Sequence, residues 1–424
     1  MSLVRGGICL VIAFSVLAFG AVEAWSAAVV EISAAVLLLA WAILIARDRT
    51  ATIQWNALNG PLLAFLALGL LQLFLGGTAY AFLTRMEVLR LASYAILFFL
   101  AAQAFRKRAD LSFLAWFLIV FCFAVSLLGI IQHFTSEGEL YWMPSLTIRG
   151  DSFGPFVNRN HFAGFVELTL PVGLGLMLFR GISSELLPLA TVLTIVPVGA
   201  LVLSGSRGGI IGFALELCVL AVLARTRRAG EGPRMIALAT VALAALAVVA
   251  WIGAGKAVQR FSTARQDLTM SRRSSMVRGA AGVFFAHPIK GAGLGTLVAV
   301  YPRYETLYDG YVVQHVHNDY MEALAETGVA GGLCGLAFLW LLYREARKGF
   351  EAERSHFGRG LRAGAIAAVV GLLLHSFIDF NLHIPSNALL FLLQAFLATS
   401  DPISPETRGA ERGQRSREYS VVGG

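Results

Sequence analysis

Long apolar runs recur along most of this chain, and short polar segments separate them. The runs do not alternate between apolar and polar residues, as the strands of a membrane barrel do. Their lengths match a helix of about 20 residues, the element that satisfies its own backbone within lipid. The pattern predicts an all-α polytopic membrane protein with about twelve transmembrane helices. The predicted spans are 6–22, 26–46, 60–76, 88–105, 111–133, 161–180, 186–203, 208–225, 235–254, 319–343, 361–380 and 384–400.

The longest polar segment of the chain is 255–318, between the ninth and tenth predicted spans. It carries eight Lys or Arg residues, and the motif QHVHNDY at 314–320 joins it to the next apolar run. We expect one membrane domain at 1–400, with 255–318 as its catalytic loop. A cytoplasmic tail at 401–424, rich in Arg, Glu and Ser, is expected to be disordered.

The composition indicates that lipid is the main solvent of this protein. Of its residues 57% are hydrophobic and 14% are charged, whereas soluble domains carry about 25% charged residues. The four cysteines form no CxxC pair, so the sequence indicates neither a disulfide framework nor a zinc site. The net charge of +8 comes from basic residues in short loops, which is the placement of topology signals and not of a nucleic-acid surface.

The basic content of the loops alternates along the chain and predicts the orientation. By the positive-inside rule the basic face is cytoplasmic, and both termini lie on it. The segment 255–318 then faces the periplasm, if the membrane is a bacterial inner membrane. The basic loops contain Arg47, Arg106–Arg108, Arg180, Arg225–Arg234 and Arg344–Arg362.

Several arginines lie in predicted outer loops, against the topology rule. Such a group suits an anion, because the guanidinium fork matches phosphate oxygens. Arg207 stands in SGSRGG at 204–209, where the first N–H groups of the eighth span can face the same anion. The alternative there is a tight helical hairpin with an interfacial arginine. Arg273 and Arg278 would lie about 140° apart on a helix, so they need not share a ligand.

The motif at 314–320 places two histidines at the mouth of the tenth span. His315 and His317 form an HxH pair, but without a third ligand this pair is weak evidence for a metal, and we predict none. A histidine beside Asn318 suits a base or a hydrogen-bond donor. Glu322 and Glu326, one turn apart, are placed to orient it.

Polar residues also open the sixth span. Asn158, Asn160 and His161 stand among aromatic residues, a mixture that suits hydrogen bonding and stacking to sugars. The alternative is a turn in which Asn158 or Asn160 caps the helix.

The end of the eleventh span carries Asp379, Asn381 and His383. Ionisable groups at a membrane boundary are candidates for a functional site. Local capping or pairing is the alternative for Asp379.

In their order and spacing these motifs resemble the O-antigen ligase and O-antigen polymerase superfamily of bacterial membrane glycosyltransferases. The similar elements span about 145–335, and the predicted topology fits the whole chain. Val277 stands where an aromatic residue is usual, and Met321 where Leu is common. The elements are FVNRN at 156–160, SRGG at 206–209, Arg273 with the HPIKGAG run at 287–293, and HNDYM with ETG within 317–328.

The resemblance implies inverting glycosyl transfer at the periplasmic face, without a metal or cofactor. The donor would be a glycan on a polyprenyl diphosphate. The acceptor would be a sugar hydroxyl, on lipid A core for a ligase or on a lipid-linked unit for a polymerase. Arg207 and Arg273 would stabilise the leaving diphosphate, and His317 would activate or position the acceptor hydroxyl. The other predicted substrate-binding residues are Arg278, His315, Asn318, Glu326, Asn158, Asn160 and His161.

Two other classes of protein fit parts of the pattern. A transporter or flippase of lipid-linked sugars also needs a basic cavity. Such a protein is expected to carry its charged residues near mid-membrane and to consist of two inverted repeats. We find neither such a cluster of mid-membrane charges nor an inverted repeat in the sequence. A sensor or structural membrane protein would tolerate substitution of the loop arginines and histidines.

Overall fold

The protein is all-helical wherever the computed structural model describes it, at residues 1–48, 52–143, 152–226, 268–308 and 310–401. Each helix satisfies its own backbone, as an apolar surround requires. In chain order the helices are α1 (Ser2–Leu17), α2 (Ala24–Arg47), α3 (Asn59–Phe74), α4 (Ala81–Ala104), α5 (Arg108–Thr135), α6 (Arg159–Leu178), α7 (Leu187–Ser204), α8 (Arg207–Thr226), α9 (Leu268–Ala286), α10 (Leu297–Val300), α11 (Asp319–Ala352), α12 (His356–His375) and α13 (Pro385–Thr399).

Eight of these helices are long and apolar enough to cross a membrane, and α1, α3 and α13 are shorter apolar helices. Together they correspond to eleven of the twelve predicted spans. The ninth predicted span, 235–254, lies outside the described residues, as do the tail from 402 onward and the first part of the predicted loop, up to 267.

Several boundaries differ from the sequence prediction, those of α4 and α12 among them. Residues 81–87, which lie between the third and fourth predicted spans, already belong to α4. Within that helix Glu87 and Arg90 form an ion pair. The predicted span 361–380 begins earlier, where Ser355 Oγ caps α12 by accepting the Gly358 N–H at 3.0 Å. It also ends earlier, at His375.

Helix α6 is the centre of the bundle, since every residue from His161 to Leu178 is buried. It lies against α12 at very short range. A Cβ atom at Gly175 would lie 2.4 Å from the Gly360 carbonyl oxygen. Small residues permit such backbone approach between membrane helices, so these glycines set the spacing of the central pair.

Helix α11 is interrupted at Gly328, whose φ of 62° and ψ of −162° suit glycine alone. The Gly-rich run that follows His287 fills the break. Val329 N donates to Pro288 O at 2.8 Å, and Ala292 N donates to Ala325 O at 3.0 Å. This run is therefore a turn docked on α11.

The described part of the polar segment, from 268 to 318, is a small packed layer and not an open loop. Met276 and Val283 of α9 pack with Leu297, Tyr301 and Val316 in a hydrophobic cluster separate from the main core. The layer holds α9 and the histidine motif against the start of α11.

Candidate functional site

One end of the bundle gathers the first turns of α6, α8 and α11 and the last turn of α12, and we call it the site end. Its centre is Asp379, whose side chain is fully buried. Asp379 Oδ1 lies 3.1 Å from His317 Nδ1, and Asp379 Oδ2 accepts a 2.5 Å hydrogen bond from Asn160 Nδ2. His161 Nε2 and Arg273 Nη2 lie 3.9 Å and 3.8 Å from the same carboxylate. These five residues form the Asp379 cluster.

Tight turns after α12 place this carboxylate. The N–H groups of Ile378 and Asp379 both donate to the His375 carbonyl, at 2.9 Å and 3.1 Å, so the chain coils back under the helix end. Phe380 N then donates to Asp379 Oδ1 at 2.9 Å. The side chain is directed inward before α13 begins at Pro385.

Asp379 is an anion. Burial on its own would raise its pKa, but the hydrogen bond from His317, with the positive charge of that ring when it is protonated, holds the pKa of this carboxyl well below its usual range. An ionised carboxylate only accepts hydrogen bonds. His317 Nδ1 must therefore carry the proton, which leaves Nε2 as the ring atom that can take one.

His317 occupies a left-handed backbone conformation, with φ of 53°. Such a conformation is costly for a residue with a side chain and is often retained at functional sites. The following residues hold it in place. Asn318 caps α11 by accepting the Met321 N–H at 2.8 Å and donates to Phe377 O at 2.9 Å. Asp319 N donates to Ser376 O at 3.0 Å.

Arg273 joins α9 to this cluster. Its Nη1 donates to Ile378 O at 2.8 Å, and its Nε is buried without a hydrogen-bond partner. One guanidinium therefore fixes the turn that carries Asp379 and keeps an unused donor. Arg278 is exposed and donates from Nε to Ser274 O of its own helix at 3.4 Å. This difference agrees with the predicted angle between the two arginines.

The asparagines that open α6 have different roles. Asn158 is the N-cap, because its side chain accepts the Asn160 N–H at 2.8 Å. Asn160 instead donates to Asp379. The capping alternative is thus confirmed for Asn158, and Asn160 and His161 belong to the Asp379 cluster.

A second group of ionisable residues lies beside the first. His315 Nδ1 is 2.7 Å from Glu322 Oε1, and His383 Nε2 is 3.4 Å from the same oxygen. His383 Nδ1 lies 2.7 Å from Asp319 Oδ1. We call these four residues the Glu322 cluster. Burial would lower the pKa of His383, but the charge of Glu322 and the bond to Asp319 raise it to about 10.

The expected orientation of His317 by glutamates is wrong, because Glu322 bonds His315 and Asp379 bonds His317. Glu326 is buried and accepts N–H groups of Gly295 and Leu297, each at 2.9 Å. It ties the Gly-rich run to α11 and does not reach either histidine by a hydrogen bond.

The ring of Phe380 separates the two clusters. It stacks on His315 with centroids 4.6 Å apart, and it meets His161 and His317 edge-on at 4.7 Å and 4.8 Å. One aromatic side chain therefore fixes three imidazoles.

The ligand atoms of His315, Glu322 and His383 lie within 4.8 Å of one another, which is compatible with a metal site. In the geometry found here these atoms are already paired. His315 is hydrogen-bonded to Glu322 and His383 to Asp319, and His383 is a cation. The arrangement fits an ion-pair network better than a set of vacant ligands.

Arg207 is the first residue of α8, at the site end. Ser206 Oγ accepts the Gly209 N–H at 3.2 Å and caps the helix. The two glycines of the SRGG motif allow close packing. A Cβ atom at Gly208 would lie 2.3 Å from His375 Nε2, and one at Gly209 would lie 2.5 Å from Ala163 Cβ. The motif sets the first turn of α8 directly against α6 and α12.

An apolar cavity of about 470 Å³ extends from the Glu322 cluster along α11. Asp319 and Tyr320 line its site end, and Phe65, Leu324 and Phe391 line its apolar walls. The cavity is therefore an apolar space directly beside the ionisable residues of the Glu322 cluster.

Sequence reasoning named Asp379 and His383 as candidates without giving either a role, and it missed Glu167 and His375. His375 Nδ1 lies 2.6 Å from Glu167 Oε2, and both side chains are buried. The available signal was a glutamate within an apolar span, because ionisable residues in such spans are rarely incidental.

The family model described as O-antigen ligase matches residues 190–336. The matched segment contains Arg207, Arg273 and His317, together with residues outside the described ranges. It ends before Asp379 and begins after Asn160. No curated protein matches the chain.

Proposed function

We infer from the family match at residues 190–336 that the chain belongs to the O-antigen ligase and polymerase superfamily, and we propose that it transfers a glycan from a polyprenyl diphosphate to a sugar hydroxyl. The observation that carries this proposal is the Asp379 cluster, in which a histidine and an arginine meet at one buried carboxylate. Such a site offers a base and a cation side by side. The transfer is proposed to be metal-independent and inverting.

His317 is the proposed base. Asp379 holds Nδ1–H, so Nε2 accepts the proton of the acceptor hydroxyl. The hydroxyl oxygen forms the new bond to the anomeric carbon. The old bond from that carbon to the diphosphate oxygen breaks, and its electron pair stays on the diphosphate. Attack opposite the leaving group inverts the anomeric centre.

Arg207 and Arg273 are the proposed partners of the leaving diphosphate. Negative charge grows on the diphosphate as the bond breaks, and fixed cations at that position lower the barrier. The buried, unpartnered Nε of Arg273 supports this role. The other proposed substrate-site residues are Arg278, His315, Asn318, Glu326, Asn158, Asn160 and His161. Among them, the helix caps Asn158 and Asn318 and the buried Glu326 are proposed to position the site by stabilising the fold around it.

The apolar cavity along α11 suits the polyprenyl part of the donor. A lipid chain there would place its diphosphate near the ionisable groups at the site end. We propose that this end faces the periplasm of a bacterial inner membrane, with both termini in the cytoplasm. The proposed acceptor is lipid A core if the protein is a ligase, or a lipid-linked glycan if it is a polymerase.

The proposal is tested with purified protein in liposomes, a polyprenyl-diphosphate oligosaccharide and both kinds of acceptor, with EDTA present. We expect a glycan ladder for a polymerase or a single product for a ligase. Arg207→Ala, Arg273→Ala and His317→Gln should each reduce the rate by about a hundredfold or more. Arg303→Ala, an exposed arginine of the same layer, should retain the wild-type rate.

Full activity of the arginine variants would contradict the assigned roles. Movement of donor between leaflets without a new glycosidic bond would instead identify a flippase.

A further inference from the structure

A buried acidic group lies below the Asp379 cluster, in the membrane-spanning part of the bundle. Glu167 of α6 and Glu216 of α8 are both fully buried. Both oxygens of Glu216 and Oε1 of Glu167 have no hydrogen-bond partner. The proposed transfer chemistry does not use these residues.

Close packing brings the two carboxylates and one histidine together. Glu167 Oε1 occupies the space beside Gly212, one turn from Glu216 on α8. The Glu216 carboxylate occupies the space beside Gly371, one turn from His375 on α12. His375 Nδ1 is 2.6 Å from Glu167 Oε2, and its Nε2 abuts Gly208. Glu216, Glu167 and His375 form the buried triad.

The charge of this triad is constrained by its surroundings. Two ionised carboxylates around one imidazole would leave net negative charge where the dielectric is low, which is unfavourable. No salt bridge to Glu216 occurs among the described residues, and its oxygens are unpartnered. Glu216 therefore holds a proton. A second proton is shared between Glu167 Oε2 and His375 Nδ1 across their short hydrogen bond.

The position of that shared proton depends on the charges that face His375 and Glu167. An anion at the first turn of α8 would lie near His375 Nε2 and favour the imidazolium. Asp379 favours it as well, whereas Arg273 opposes it. The titratable and charged groups that face the triad are His161 of α6, Arg207 of α8, Cys122 of α5, Arg273 of α9 and Asp379 after α12.

We propose that the buried triad holds a mobile proton whose position is linked to anion binding: a phosphate-bearing ligand at the first turn of α8 draws the proton of Glu167 onto His375. Before binding, Glu167 Oε2–H donates to neutral His375. After binding, the proton has moved to Nδ1, and the imidazolium donates to ionised Glu167. Glu216 stays protonated throughout. No proton enters or leaves the triad.

This inference rests on the proposed donor site, since it uses an anion beside Arg207. It gives His375 a positioning and charge-balancing role. The His375 imidazolium would form only when the donor diphosphate binds, and it would then balance part of the negative charge of the diphosphate.

Infrared difference spectroscopy of the protein in liposomes tests the proposal with inorganic pyrophosphate as the probe. We expect a protonated-carboxyl band to disappear and a carboxylate band to appear when pyrophosphate binds. Glu167→Gln and His375→Gln should abolish that change. Glu216→Gln should remove a different protonated-carboxyl band from the absolute spectrum, one that does not respond to pyrophosphate.

Glu353 supplies the matched control. It is also fully buried, but it pairs with Arg362 at 3.6 Å and is ionised. Glu353→Gln should leave all protonated-carboxyl bands unchanged. An unchanged carboxyl band on pyrophosphate binding, with binding measured by calorimetry, would overturn the proposal, as would an absence of binding.

The outcome is separable from that of the proposed function. If the bands shift but no acceptor receives a glycan, the proton link stands and the transfer reaction is wrong. If glycan transfer occurs while the bands stay unchanged, the proposed function stands and the proton link is wrong.

Discussion

Asp379 is the residue on which the candidate site depends. It is buried, ionised and shared by His317, Asn160, His161 and Arg273. A carboxylate of this kind sets the tautomer of its histidine and balances a neighbouring guanidinium. Removing its charge therefore affects the base and the cation together.

Asp379→Asn should reduce glycan transfer by about a hundredfold or more, because the amide can donate to His317 Nδ1 and reverse its tautomer. The rate in liposomes with a defined donor measures this effect. Asp401→Asn, an exposed carboxylate at the end of the described chain, is the control and should be unaffected. A wild-type rate for the Asp379 variant would exclude the proposed base.

His383 gives the protein a dependence on alkaline pH. Its folded pKa is raised from 6.5 to about 10, so its stabilising contribution is complete below pH 6.5 and is lost as the pH rises through about 10. We expect the Tm of detergent-solubilised protein to decline over that interval. His383→Gln should start from a lower Tm and show a smaller decline; an identical pH profile would contradict the ion-pair network. The lowered pKa of Asp379 has the opposite effect on the pH dependence: its stabilising contribution is lost as the pH falls.

At the level of elements, glycines decide how closely the helices meet. Gly175 and Gly360 bring α6 to α12, and Gly208 brings α8 to His375. Gly328 breaks α11 so that the Gly-rich run can bond to it. The site end is therefore built by backbone contacts that a side chain would prevent.

Gly208→Ala should disturb the site more than its small change in volume suggests. The new methyl group would lie 2.3 Å from His375 Nε2, and the buried ring has little room to move. We expect about 1–3 kcal/mol of destabilisation, together with reduced transfer. Gly199→Ala in α7 is the control, because no atom lies within 4 Å of its added Cβ. Thermal unfolding should show no loss of stability there, and equal loss in both variants would contradict the contact.

Over the whole molecule, ionisable residues of distant segments meet at one end of the bundle, and an apolar cavity adjoins them. Charged residues at the other end of α11, such as Arg347 and Lys348, are exposed. The molecule therefore has two chemically different ends, as the proposed reaction at one membrane face requires.

The orientation of those ends can be measured by cysteine labelling. In a variant without the four native cysteines, Tyr308→Cys at the site end should react with a membrane-impermeant maleimide on intact cells. Lys348→Cys should react only after lysis. The two side chains are 76% and 62% exposed, so access is not limited by packing. The reverse pattern would place the site in the cytoplasm.

Much of the architecture could be read from the chain, because the requirement for an apolar helix of membrane-spanning length is local. Eleven predicted spans coincide with helices, and the ninth lies outside the described residues. The residue types of the site were also visible, because Arg207, Arg273 and His317 interrupt a sequence otherwise suited to lipid. The angle between Arg273 and Arg278 followed from helix geometry alone.

The partners of those residues depended on tertiary structure. His317 bonds Asp379, 62 positions away, and Asn160 reaches the same carboxylate across 219 positions. Glu322, the nearer acid, bonds His315 instead. Asn158 and Asn318 proved to be helix caps as well as site neighbours. A helical pattern repeats over a few residues, so it can be recognised in the sequence. Side-chain pairing depends instead on how the helices pack, because a buried polar group needs a hydrogen-bond partner, and the fold decides which residue is close enough to be that partner.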